Sequence, residues 1–124
     1  MIKLGIIGCG YWGMNLIRNI VESDKTQLIL ACDSYPKALE RVKSRYPAVK
    51  VCSDAKEVFE NKEVQGIIIA TDPHSHYDLA KQAILRGKDV FVEKPLTVSS
   101  RTTADLIKLA EKHKRILMVG HTFE

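Results

Sequence analysis

Aromatic side chains are scarce in this sequence: they make up 6% of its 124 residues, with a single tryptophan, Trp12. Proteins that bind nucleic acid set aromatics among clustered cations. Here the net charge is +4, yet lysine and arginine are spread along the chain rather than gathered. The tightest group, Lys112, His113, Lys114 and Arg115, falls at a predicted helix end, where cations complement the helix dipole. No nucleic-acid partner is expected. Cysteine is sparse too. Cys9, Cys32 and Cys52 are odd in number and show neither C-x-x-C spacing nor a nearby histidine pair. They read as small buried hydrophobes, and no metal site is expected. No apolar run is long enough to span a bilayer, and no signal-peptide layout precedes the first apolar run. The expectations are a cytoplasmic location and no membrane partner.

What is present is the balance of a globular protein, with 45% hydrophobic and 27% charged residues. Six apolar runs fall at 3–7, 28–32, 49–52, 66–70, 89–92 and 116–119. Most are continuous rather than alternating, as in strands buried on both faces of a parallel sheet. Helical patterns fill the gaps. The first begins near Trp12 and places Leu16, Ile17, Ile20 and Val21 on one face. The second covers 36–46 with Leu39 and Val42 inward, and a short third covers 55–59 after Asp54 as N-cap. The fourth, at 77–86, turns Leu79, Ala80, Ala83 and Ile84 inward. The fifth, at 102–113, turns Ile107 and Ala110 inward, with Ser99 or Ser100 as cap. This alternation predicts an α/β fold, a doubly wound parallel six-stranded sheet in the order 3-2-1-4-5-6, with right-handed crossovers. One dinucleotide-binding (Rossmann) domain is expected to fill residues 1–124.

The most specific local signal is Gly8-Cys9-Gly10-Tyr11-Trp12-Gly13, a G-x-G-x-x-G after an apolar run and before a helical one. An acid, Asp33, follows the second run at about the distance of 20 residues that a dinucleotide site needs. Gly8 turns the chain off the strand, Gly10 admits a diphosphate close to the backbone, and Gly13 lets helix and strand pack tightly. The first-turn N–H groups then face the phosphates. Asp33 accepts from the ribose hydroxyls and repels a 2′-phosphate, so NAD is expected ahead of NADP, with Lys37 near enough to soften the preference. A methyltransferase also uses a glycine-rich turn and a following acid, but the six runs and the first-helix glycine argue against it.

Ligands of such sheets lie outside the carboxyl ends of the strands. The nicotinamide half must then lie over the loops at 71–76, 93–95 and 120–124. Glu93-Lys94-Pro95 puts a lysine near the reactive end, where its ammonium can hold a substrate oxygen or relay a proton. A surface ion pair before a turn is the plainer alternative. His76 packs near the cofactor or caps a helix, and His74 is expected in solvent. His121 either reaches the substrate cavity or is structural. Trp12 packs on the cofactor, on a neighbouring loop or in the core.

Four segments, GIIGCGYWG, IIIATDPHSHYDLA, VFVEKPLTVS and ILMVGHTFE, resemble the N-terminal half of the glucose–fructose oxidoreductase, inositol dehydrogenase and rhizopine-catabolism (Gfo/Idh/MocA) family. The resemblance covers the whole chain, and the EKP tripeptide is its most specific element. It implies an NAD(P)-dependent oxidoreductase acting on sugars, sugar nucleotides or cyclitols. It implies that Lys94 contacts substrate and nicotinamide ribose, with Glu93 beside that ribose. Gly8, Gly10, Gly13 and Asp33 would hold the cofactor, and Tyr11, Trp12, Ala70, Thr71 and His76 would line its site. Two departures stand out. Asp72 occupies the place where the family has proline, with Pro73 one residue later, which brings a carboxylate near the cofactor. The resemblance extends only to the family's first domain, and the second, which shapes the substrate pocket, is not expected within these 124 residues. A small-molecule substrate is thus expected only when a second domain is supplied, the chain alone is expected to be inactive, and its uncovered surface invites weak self-association. A stand-alone NAD(H) sensor is the alternative, although a sensor has no evident need of Glu93-Lys94-Pro95.

Overall fold

Strands with both faces covered need apolar side chains in both directions, and the sheet is built that way. A computed structural model of the chain describes residues 1–120. Its strands are β1 (Ile2–Ile7), β2 (Thr26–Cys32), β3 (Lys50–Cys52), β4 (Gly66–Ile69), β5 (Asp89–Glu93) and β6 (Leu117–Gly120). All neighbours pair in parallel, in the order β3-β2-β1-β4-β5-β6. The doubly wound sheet expected from the apolar runs is the one observed. Strand order reverses between β1 and β4, which opens a crevice at their carboxyl ends.

The connecting helices are α1 (Tyr11–Glu22), α2 (Pro36–Arg45), α3 (Ala55–Glu60), α4 (Pro73–Leu85) and α5 (Ser100–His113). Ile17 and Ile20 of α1 with Ala38 and Val42 of α2 pack on Ile6, Leu28, Ala31 and Ile68, one face of the sheet. Val58, Ala80, Ile84 and Leu106, from α3, α4 and α5, pack on Ile7, Leu30, Ile67, Ile69 and Val92, the other face. Adjacent residues such as Ile67, Ile68 and Ile69 thus serve opposite cores, and for this reason the run is continuous.

Several details differ from the expectation, among them that β2 begins at Thr26 rather than 28 and α5 at Ser100 rather than 102. Helix α4 begins at Pro73 instead of residue 77: the Asp72 carboxylate accepts from the His74 N–H at 2.8 Å, and Pro73 sits where a helix needs no N–H. His74 and His76 therefore lie inside the helix, not in a loop before it. Val21 and Ile107 are exposed, because Ile17 with Ile20, and Leu106 with Ala110, already fill their stripes. Trp12 is not a core residue; it is 39% exposed, with its ring edge-on to Tyr11 at 5.0 Å. Strand β6 starts one residue late, leaving Ile116 outside it. Of the two candidate caps of α5, Ser99 holds the position, accepting from the Thr102 N–H at 3.2 Å.

One buried cation joins the layers away from the crevice. Lys88, 7% exposed, donates from Nζ to the carbonyls of Asn61 at 2.6 Å and Val64 at 2.7 Å. Lys88→Met keeps the stem but strands both carbonyls, so unfolding free energy should fall by about 2 kcal/mol, read from urea denaturation. Burial also pulls the Lys88 ammonium below the ordinary 10.5. Between that lowered value and 10.5 the unfolded chain binds the proton more tightly, so this residue's contribution to stability rises with pH. The rise should vanish in Lys88→Met.

Candidate nucleotide-binding site

The glycine turn leaves β1 with each glycine constrained differently. Gly8 has φ +104°, and a Cβ there would stand 2.5 Å from the Ala70 carbonyl oxygen. Its N–H donates to the Cys32 carbonyl at 2.8 Å, which ties the turn to β2. A Cβ on Gly13 would collide with the Gly8 carbonyl oxygen. Gly10 is the contrast: its φ of −76° suits any residue, and a Cβ there would meet nothing within 4 Å. No neighbour among the described residues crowds that position. Glycine suits the N-cap of α1 that Gly10 occupies, and its open side also lets a ligand come close to the first turn of α1, which carries no side-chain cap. The residues present fit a dinucleotide diphosphate.

Asp33 follows β2 and is already engaged. Its Oδ2 accepts from the Cys9 N–H at 2.8 Å and its Oδ1 from the Tyr35 N–H at 2.9 Å. A carboxylate has about four acceptor sites, so both oxygens can still take a ribose hydroxyl. The link from Asp33 to the centre of the glycine turn escaped the sequence reading. So did Arg41 and Arg45, four apart on α2, which line a groove of about 360 Å³ with Gly10, Tyr11, Met14 and Asn15. Their spacing was the available signal, since residues four apart share a helix face.

Cys9 lies within the turn, and Cys32 and Cys52 end β2 and β3; all three thiols are buried and free. Burial, reinforced by the Asp33 charge, pushes Cys9 up to about 12. Burial raises Cys32 as well, with Cys52 next to it, and raises Cys52. Thiolate is the reactive form. A thiol raised from 9.0 to about 12 carries on the order of 10³-fold less thiolate at pH 8. Cys9 of the folded chain should therefore react with a thiol reagent at that pH at least about 100-fold more slowly than Cys9 of the urea-unfolded chain, read by mass spectrometry of its peptide. The sign for stability is the reverse of Lys88. Above pH 9 the unfolded thiols ionise while the folded ones stay protonated, so their contribution falls as pH rises.

The loops after β4 and β5 form the far end of the crevice. Ala70 donates its N–H to the Ile7 carbonyl at 2.8 Å, and its own carbonyl closes over Gly8. The Thr71 and Ser75 hydroxyls share a hydrogen bond at 2.6 Å. Asp72, placed near the cofactor by the sequence, spends one carboxylate oxygen capping α4. His74 is exposed, as expected. His76 is 1% exposed, with Nδ1 2.8 Å from the Pro95 carbonyl and Nε2 3.0 Å from the Thr71 carbonyl.

Glu93 and Lys94 point to different environments. Glu93 is buried, and among the described residues its Oε1 has no hydrogen-bond partner. It lines a groove of about 520 Å³ with Tyr11, Trp12, Arg18 and Phe91. Lys94 is exposed, donates its backbone N–H to the Gly120 carbonyl at 2.9 Å, and precedes Pro95 through a cis peptide bond. The ion pairs among the described residues are Lys3 with Glu63 and Asp89 with Arg115. A surface pair between Glu93 and Lys94 is not among them. His121 lies outside the described residues. Among the described residues, no group of three or more His, Cys, Asp or Glu is placed to hold a metal ion, and no helix is long and apolar enough to cross a membrane.

The comparisons agree with this geometry. A family model described as "Oxidoreductase family, NAD-binding Rossmann fold" matches residues 2–121. A dehydrogenase of Comamonas testosteroni acting on 1-carboxy-3-chloro-3,4-dihydroxycyclohexa-1,5-diene is 29% identical over 121 residues, covering 98% of this chain and 30% of that protein. Inositol 2-dehydrogenase of Salmonella paratyphi B is 27% identical over 122 residues, covering 96% of this chain and 36% of that protein. Among solved structures, biliverdin reductase from Synechocystis, in complex with biliverdin and NADP+, superposes with a TM-score of 0.90 at 22% identity, covering 95% of this chain and 37% of that one. The chain thus spans about a third of the length of the relatives it matches. With the strand order, the glycine turn and the family match in agreement, this chain belongs to the Gfo/Idh/MocA oxidoreductase family and carries its NAD(P)-binding Rossmann fold.

Proposed function

We propose that this chain is the cofactor half of a dehydrogenase that binds NAD in preference to NADP and acts on a hydroxyl of a sugar, sugar nucleotide or cyclitol. The observation that carries the reading is the open side of Gly10, where, unlike at Gly8 and Gly13, a Cβ would meet no described atom within 4 Å. The substrate class rests on the relatives, one of which is named for inositol. The diphosphate lies on the first-turn N–H groups of α1, with the Arg41 and Arg45 guanidinium groups adding positive potential from the adjoining groove. Asp33 takes the adenosine ribose. Ala70 and Thr71 border the path toward the end of β5, where exposed Lys94 holds a substrate oxygen and Glu93 lies beside the second ribose. NAD, when bound, supplies the hydride acceptor.

One wall does not make a reaction site. Transfer needs the reacting atoms at about 3–3.5 Å in a shaped, dry enclosure. The 124-residue chain is therefore expected to bind nucleotide without turning over sugar. A fluorescence titration should give saturable NADH binding, displaced by NAD and at least about tenfold less well by NADP. Absence of saturable binding at millimolar NADH would refute the reading, and steady sugar-dependent NADH production would refute the inactivity.

Edge strand β6 gives the 124-residue chain a tendency of its own in solution. Ile116, Met118 and Val119 are 62%, 58% and 42% exposed on and beside edge strand β6. Apolar side chains on an open sheet edge favour association. Sedimentation should show weak, concentration-dependent self-association, reduced by Met118→Lys; a strict monomer at millimolar concentration would contradict it.

A further inference from the structure

We infer that His76 is a positioning residue for Lys94: it braces the loop after β5 against the loop after β4, and so fixes where the Lys94 ammonium stands over the nicotinamide end of the crevice. The inference rests on the nucleotide-binding reading above, but its geometry is independent of it. The ladder between β4 and β5 ends at the pair Ile69 with Val92. Beyond that pair, no backbone hydrogen bond among the described residues joins the two loops. The imidazole makes the connection, with one nitrogen 2.8 Å from the Pro95 carbonyl and the other 3.0 Å from the Thr71 carbonyl.

Packing alone does not call for histidine at this place. The ring is 1% exposed, and an apolar side chain of similar size would fill the volume. It would, however, take the imidazole away from the Thr71 and Pro95 carbonyls at its two ends. A neutral imidazole has one N–H and serves one of them; the doubly protonated ring serves both. In the neutral ring the bare nitrogen accepts nothing from the carbonyl it faces, so that loop is held by ring contact and the other by the hydrogen bond.

The brace acts on Lys94 through the chain. Lys94 is held on its amino side by its own N–H on the Gly120 carbonyl at 2.9 Å. On its carboxyl side Pro95 has no N–H to give, so its carbonyl on His76 is the next polar anchor, ahead of buried Leu96. With that anchor gone, the nearest hold on the lysine's carboxyl side is Leu96, packed in the core two residues on. A displacement of about 1 Å at a reacting group can cost about 10²-fold.

The test separates the two halves of the nucleotide in the 124-residue chain. ADP reports the glycine-turn half alone, and NADH reports both halves. In His76→Leu the NADH dissociation constant should rise at least about tenfold while that for ADP stays within about twofold. In His76→Gln, whose amide can still donate to a carbonyl, part of the loss should be recovered. Backbone amide NMR signals of Lys94 and Leu96 should shift in the Leu variant, with those of Gly10 and Asp33 unmoved. Unchanged NADH affinity and unshifted Lys94 in a folded Leu variant would overturn the inference, as would equal loss of ADP and NADH. Should the Leu variant not fold, the wild-type ring decides: a slowly exchanging ring N–H with scalar coupling to the Thr71 or Pro95 carbonyl supports the brace, and rapid exchange with water overturns it. Wild-type protein that binds neither ADP nor NADH would sink the nucleotide reading instead, and the Lys94 shift would still judge the brace.

Discussion

Gly13→Ala is expected to lower the free energy of unfolding by about 3 kcal/mol or more, the upper end for inserting one methyl into a packed interior. In a helix the same change ordinarily stabilises, by about 1 kcal/mol, because alanine loses less backbone entropy than glycine. The sign reverses here because the new Cβ would collide with the Gly8 carbonyl oxygen, a backbone atom that cannot rotate aside. Gly8 cannot retreat either. Its φ of +104° and its N–H on Cys32 hold it, and the Ala70 carbonyl stands over it. Gly10→Ala provides the control in the same turn. Its Cβ enters open space, so stability should change by no more than about 1 kcal/mol, the usual loss for alanine at an N-cap. NADH affinity should nonetheless fall about tenfold or more, because the methyl occupies the diphosphate's place. Urea denaturation followed by circular dichroism measures the first effect and a fluorescence titration the second. A neutral or stabilising Gly13→Ala would show that the helix approaches the strand less closely than described.

What the amino-acid sequence disclosed, and what it did not, divides along physical lines. Strand order was legible because 67–69 is apolar without alternation, which only a sheet covered on both faces tolerates. The glycine turn was legible because its constraints are local. The start of α4 was also written locally, as Asp72 followed by Pro73, but histidines drawn into a supposed loop obscured it. His76 lies four residues before buried Ala80, a spacing that already put it on the inward face of that helix. What no spacing reveals is which atoms meet across the sheet. The bond from Asp33 to Cys9 joins positions 24 apart in the chain, and the one from His76 to Pro95 joins positions 19 apart. The turning of Arg41 and Arg45 toward Gly10 follows only once α2 lies beside α1. Val21 and Ile107 fit the helical period yet stay in solvent, because the period gives a stripe's direction and the packed neighbours set its width.

Asp33→Ala is expected to weaken NAD binding by about 100-fold, while NADP binding falls by less than tenfold. Two effects of the carboxylate are involved, and they part company between the two nucleotides. Hydrogen bonds from ribose hydroxyls to a charged acceptor contribute about 1.5–3 kcal/mol each, and a loss of about 2.7 kcal/mol is a factor of 100. For NADP the lost carboxylate was also a repulsive neighbour of the 2′-phosphate, so its removal offsets part of the cost. Asp33 has a second task that touches both nucleotides alike: it holds the Cys9 N–H at 2.8 Å and the Tyr35 N–H at 2.9 Å. Losing that tie should lower unfolding free energy by about 1–2 kcal/mol and loosen the turn on which either diphosphate rests. The ratio of the two affinities therefore isolates the ribose effect, and the denaturation midpoint isolates the tie. If NAD and NADP weaken by the same factor, Asp33 shapes the turn without reading the ribose, and the expected preference for NAD loses its physical basis.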